Sequence, residues 1–163
     1  RFGMRGIISE AHFDCGRNMV LMMRGAKRYI LTPPQSCDHI KLLPDPNHPS
    51  YRHSTIDWSN VTQASNNNFD KVNSIDTIVK KGEILFIPSY WVHYIISTKY
   101  SIQCNSRFGP NENDEAFKPI KKCFERDLGS AIEVPDYLHG KVKNGNVNVN
   151  PMLFGPNIVG KQS

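Results

Sequence analysis

No stretch of this 163-residue chain approaches the roughly 18 consecutive apolar residues of a membrane-spanning helix. No Cys-x-x-Cys pair is present either, and Cys15, Cys37, Cys104 and Cys123 show no compact disulfide spacing. Free thiols in a reducing compartment are therefore the expectation, which favours a cytoplasmic or nuclear location. Blocks of one charge sign are missing as well, since the net charge of +5 is spread along the chain. The nearest thing to a cluster, Lys118, Lys121, Lys122 and Arg126, has the spacing of a solvated helix face. No interleaving of basic and aromatic residues points to nucleic acid, so none is expected as a partner. An initiator methionine is absent: the chain opens at Arg1-Phe2-Gly3, and further chain upstream is expected.

What is present is an ordinary globular composition, 39% hydrophobic and 10% aromatic, in a length that suits one domain with a sizeable core. Short strands are expected at Ile7 to Phe13, Asn18 to Met23 and Lys27 to Thr32, broken by Cys15-Gly16-Arg17 and Arg24-Gly25-Ala26 and stopped by Pro33-Pro34. Residues 33 to 74, rich in Pro, Asn, Ser, Asp and His, read as an irregular excursion with one short strand near Ser54 to Trp58 and a loop tip at Asn66-Asn67-Asn68. Strands resume at Thr77 to Val79, Ile84 to Ile87, Val92 to Ser97 and Ser101 to Arg107, a series that predicts an all-β barrel or double-sheet jelly roll. A helix follows from about Asn113 to Leu128, and the Asn- and Gly-rich remainder reads as an irregular tail. The division is a core over 1–110 and a helical segment with tail over 111–163.

The chemistry-bearing pattern is Ser9-Glu10-Ala11-His12-Phe13-Asp14 with a distant His93. Side chains alternate along a strand, so His12 and Asp14 point to one side and Phe13 to the other. His93 opens a later strand that can return beside them. Two imidazoles and one carboxylate form the facial arrangement that leaves open positions on Fe(II), with no thiolate to favour zinc. His39, His48, His53 and His139 are read as non-ligands. Lys27, across a hairpin from His12, offers a point charge on a flexible stem that suits a single carboxylate. Ser9 can add a hydroxyl donor, and Asn18 and Asn105 are amides in otherwise apolar strands, where a bound ligand, water or local backbone would satisfy them.

Together these segments resemble the JmjC or cupin-like Fe(II)- and 2-oxoglutarate-dependent oxygenases. The pattern is most similar to the branch containing the asparaginyl hydroxylase of hypoxia-inducible factor. The resemblance runs over Gly3-Met4-Arg5-Gly6, Ser9 to Asp14, Asn18, Arg24 to Leu31, Pro33-Pro34, Arg52 to Asp57, Gly82 to Pro88 and Tyr90-Trp91-Val92-His93. It implies a double-stranded β-helix in which His12, Asp14 and His93 hold iron and Lys27 pairs with the far carboxylate of 2-oxoglutarate. Ser9 stands where the family often has a Thr serving that carboxylate. Asn18 and Asn105 fall near cosubstrate and metal, and Arg52 where some relatives help hold substrate. Phe13 and Val92 depart from the aromatic residues common at their positions.

The implied activity consumes dioxygen and 2-oxoglutarate, releases succinate and carbon dioxide, and hydroxylates a protein or peptide side chain. N-methyl demethylation by the same chemistry is the alternative. A non-catalytic cupin-like binding module is the rival from a different class, and a cupin isomerase or a dioxygenase without 2-oxoglutarate is a third.

Overall fold

The computed structural model describes residues 1–60, 71–109 and 115–128, with backbone alone for 126–128. Eight strands form: β1 (Phe2–Gly3), β2 (Ile8–Phe13), β3 (Arg17–Arg24), β4 (Ala26–Thr32), β5 (Ile75–Lys80), β6 (Ile84–Ile87), β7 (Val92–Ser97) and β8 (Ser101–Phe108). They make two four-stranded sheets, in the orders β1-β8-β3-β6 and β2-β7-β4-β5, with every pairing antiparallel. The chain crosses between the sheets as it proceeds. This is the double Greek key of a jelly roll, and the all-β cupin-like architecture expected from the strand pattern is what the chain adopts.

Turn chemistry sets the crossings. Gly25, between β3 and β4, has φ of 75°, and a Cβ there would lie 2.0 Å from the Tyr100 carbonyl oxygen. Only glycine fits both the conformation and the close approach. Gly82, with φ of 89°, closes the turn between β5 and β6.

The space between the sheets is filled at one end by Val20, Met22, Tyr29, Leu31, Val79 and Ile87. A second apolar cluster lies on the outer face of β2-β7-β4-β5, where Ala11, Phe13, Val92 and Tyr94 are covered by the excursion and by two helices. Those are α1 (Cys37–Ile40), entered through a 3-10 turn at Pro34–Ser36, and α2 (Phe117–Leu128). Phe117, Ile120 and Phe124 recur at helical spacing on α2 and are buried, while Lys118 and Lys122 face solvent, as expected of a solvated basic face. Fully burying each such aromatic contributes about 2–3 kcal/mol.

Three expectations change. Ser54 to Trp58 forms no strand: only isolated bridges occur nearby, His12 with His53 and, within the excursion, Leu42 with Ser54. A strand at Phe2–Gly3 was not anticipated, because two residues carry no periodicity. Cys37 and Cys123 are not free thiols but form a disulfide that ties α1 to α2 across 86 residues. Their separation in sequence gave no hint of this, since it is the packing of α2 on α1 that brings the two Cα atoms to 6.3 Å. Cys15 and Cys104 are free. The Asn66-Asn67-Asn68 tip and the tail after 128 lie outside the described residues.

Candidate metal centre

His12 lies on β2 and His93 on β7, directly opposite each other in the antiparallel register. Asp14 falls one residue beyond the end of β2 and is gripped by its backbone: the Tyr90 N–H donates to the Asp14 carbonyl at 2.9 Å. The Arg52 guanidinium donates to the preceding carbonyl of Phe13 at 2.7 Å. Tyr90 and Arg52 both hold positive φ, 63° and 70°, so two strained residues fix the carboxylate's place.

The geometry converges. One ligand atom each from His12, Asp14 and His93 lie within 4.8 Å of one another, and His93 Nε2 is 4.0 Å from Asp14 Oδ2. The two imidazole rings are 4.4 Å apart, and His53 stacks on the other face of His12 at 5.0 Å. Each metal-site imidazole turns Nδ1 to a backbone carbonyl two residues upstream, His12 to Glu10 at 2.6 Å and His93 to Trp91 at 3.0 Å. A carbonyl only accepts, so Nδ1 carries the proton and Nε2 keeps a lone pair.

Electrostatics agree with that assignment. Burial, with His93 nearby, pushes His12 down to about 3. Burial also lowers His93, against the pull of Asp14, so both rings stay neutral. Burial alone would raise the Asp14 carboxyl, but His93, Arg107, His12 and Arg52 outweigh it and hold the group ionised. Arg107 Nη2 stands 3.0 Å from Asp14 Oδ2, and Arg52 Nη1 3.7 Å from Oδ1. Cys15, next along, is buried, and its thiol is pushed up to about 12, which makes it inert.

Lys27 is on the same sheet, paired with Ser97, four residues along β7 from His93. Four residues span about 13 Å along the strand, so Lys27 lies on the same face as His93 at a distance from it. Lys27 is 8% exposed, and burial lowers its pKa. A Cβ on Gly3 would meet Ser97 Oγ at 2.4 Å, Ser101 Oγ at 2.9 Å and Lys27 Cε at 3.2 Å, so the absent side chain makes room for this polar end. Ser9 is half-buried on β2, opposite Ile95 and thus two residues from Ser97 along the sheet.

The facing sheet supplies amides. Asn105 Nδ2 donates to Asn18 Oδ1 at 3.0 Å, Gln103 Nε2 to Asn105 Oδ1 at 2.8 Å, and Tyr29 Oη to Gln103 Oε1 at 3.1 Å. Asn18 and Asn105 thus satisfy each other rather than standing as separate orphans. Arg52, read from sequence as a substrate contact, is 7% exposed and turned inward on Phe13 and Asp14, where it supports the carboxylate.

Sequence reasoning passed over Gln103 and Arg107. The signal was there: along β8, Ser101, Gln103, Asn105 and Arg107 alternate with Ile102, Cys104, Ser106 and Phe108. The polar set is the one that faces inward, and Ser101 and Gln103 are buried, the reverse of an ordinary amphipathic strand.

The residues fit a divalent cation. Asp14 Oδ2 is buried and accepts no hydrogen bond among the described residues, and two neutral imidazoles present lone pairs beside it. A carboxylate and two imidazoles are the donor set of a non-haem Fe(II) site. Cys37, Asp38 and Cys123 also cluster, but the two sulfurs are bonded to each other.

A jelly roll with a largely enclosed His-Asp-His cluster, His93 buried and His12 and Asp14 half-buried, and a buried lysine on the same sheet defines a cupin-type class. Comparison with known proteins agrees: residues 1–114 match the family described as Cupin-like domain, and the chain belongs to it. Similar proteins include human tRNA wybutosine-synthesizing protein 5, 24% identical over 64% of this chain and 31% of that protein. An arginine-specific demethylase of Arabidopsis thaliana is 26% identical over 86% of this chain and 29% of its own length. Bovine HSPB1-associated protein 1 is 29% identical over 84% of this chain and 28% of its own. The chain thus spans about a third or less of these relatives. They place it among cupin-like, JmjC-type domains, a broader grouping than the asparaginyl hydroxylase branch.

Proposed function

We propose that this domain is an Fe(II)- and 2-oxoglutarate-dependent oxygenase acting on a protein or peptide side chain. The observation that carries the reading is that the His12–Asp14–His93 cluster, two neutral imidazoles and an ionised carboxylate, is joined on the same sheet by a buried Lys27. His12 Nε2, His93 Nε2 and an Asp14 oxygen would hold the metal. Bound iron with 2-oxoglutarate and dioxygen would supply the oxidant for a substrate C–H bond, one oxygen atom going to the substrate and the other to succinate as carbon dioxide leaves. Lys27 holds the distal carboxylate with Ser9 beside it. Asn18, Asn105 and Gln103 line the space with neutral amides whose orientations the Tyr29 hydroxyl helps fix. The Nδ1 bonds to Glu10 and Trp91 keep both rings aimed, and burial of the triad excludes bulk water.

The relatives lend support from two sides. One is named a demethylase, which is oxygenation of an N-methyl carbon followed by loss of formaldehyde. Another is named for tRNA wybutosine synthesis, which makes RNA a second substrate class worth testing beside peptides. The experiment is succinate release from 2-oxoglutarate by purified protein with Fe(II) in air. Slow release without a second substrate is expected, with loss in Asp14→Ala. A wild type that releases none, alone or with peptide and RNA pools, would leave a binding module in its place.

A further inference from the structure

We propose that Arg107 is a resident counter-cation of the metal carboxylate, competing with a divalent ion for Asp14 Oδ2 and so setting the metal affinity of the site. This rests on the metal reading above but concerns a residue to which that reading gives no role.

Three observations carry it. The first is position. Oδ2 is the carboxylate oxygen turned toward His93 Nε2, at 4.0 Å, and the same oxygen lies 3.0 Å from Arg107 Nη2. A cation bonded to Oδ2 at about 2 Å would sit within a few ångströms of that guanidinium. Two like charges at such a distance in a half-buried site repel strongly. The second is bonding. Oδ2 accepts no aligned hydrogen bond among the described residues, so it keeps a lone pair that a metal ion can take.

The third is contrast with the other arginine. The Arg52 side chain is 8% exposed, donates to the Phe13 carbonyl and lies over the Phe13 and Tyr51 rings at 5.8 and 6.0 Å. It cannot leave. Arg107 lies near the end of β8 with 21% of its side chain exposed, the more solvent-facing of the two, and is the one the proposal has yield to a metal while Arg52 stays near Oδ1. Metal entry then exchanges one positive charge for another on a carboxylate that never goes without a counter-ion.

The test is titration of the protein with Co(II), read by visible absorption and calorimetry. Arg107→Gln should bind Co(II) on the order of tenfold tighter than wild type, and Arg107→Lys should stay close to wild type. Equal or weaker binding by Arg107→Gln would overturn the proposal. A wild type that binds no Co(II) would instead sink the metal reading beneath it. In case Arg107→Gln folds poorly, the second readout uses wild type alone: Zn(II) should accelerate exchange of the Arg107 guanidinium N–H protons in NMR spectra. Slower exchange on metal addition would contradict release.

Discussion

The two sheets of this jelly roll divide the work unequally. The β2-β7-β4-β5 sheet carries His12, His93 and Lys27 on its inner face and leads directly into Asp14, while its outer face is sealed by the excursion, α1 and α2. The β1-β8-β3-β6 sheet lends amides and Arg107 to the interior. Its outer face displays Met19, Leu21, Met23, Ile84, Phe86 and Phe108, each at least 39% exposed. The candidate site therefore sits on the sheet that is packed on both sides. Ligands must be held within fractions of an ångström, and a strand clamped from both faces does that better than one clamped from one.

Substitutions can break that contrast, and the largest effect is expected at the ligands. Asp14→Ala should abolish metal binding and succinate release together, in calorimetry and a coupled assay, because it removes the carboxylate and leaves Arg107 and Arg52 facing each other without it. Next come the outer faces. Phe13→Ala, on the sealed side, should cost about 3–5 kcal/mol in urea denaturation, whereas Leu21→Ala, on the open side, should stay near 0.5 kcal/mol or less. Equal costs would remove the distinction between the sheets.

Reduction of Cys37–Cys123 loosens the sealing layer alone. It should lower stability by about 2–4 kcal/mol, seen as a drop in Tm with dithiothreitol that a Cys123→Ser variant no longer shows. Lys27→Ala should raise the 2-oxoglutarate requirement roughly tenfold to a hundredfold with metal affinity unchanged. The remaining effect is on pH. The folded state holds His12 near 3, below its unfolded value of 6.5, so the unfolded chain takes up the proton first as the pH falls. Stability of the metal-free protein is therefore complete above about pH 6.5 and is lost progressively toward pH 3. A Tm that is flat from pH 7 to 5 would contradict the buried neutral imidazole.

Much of this was legible in the residues. Period-2 runs between turn residues located seven of the eight strands, and the His-x-Asp spacing with a distant His93 located the cluster. What escaped was set by tertiary contact. Arg52, which the resemblance puts where some relatives hold substrate, is instead turned inward, with a φ of 70° and a bond to the Phe13 carbonyl. Asp14 was placed on the strand, yet it lies past its end and depends on Tyr90 across the sheet. The disulfide joins residues that share no local pattern. Arg107 was readable in principle, from the inverted polarity of β8, but only once the inward face of that strand is known.

The most direct test of the central claim is anaerobic titration of the Fe(II)-loaded protein with 2-oxoglutarate, followed by its visible charge-transfer absorption. A saturable band is predicted for wild type, absent in Asp14→Ala and displaced to higher 2-oxoglutarate in Lys27→Ala. A wild type that takes up Fe(II) yet develops no band at saturating 2-oxoglutarate would contradict the assignment of Lys27 and the triad to one cosubstrate site.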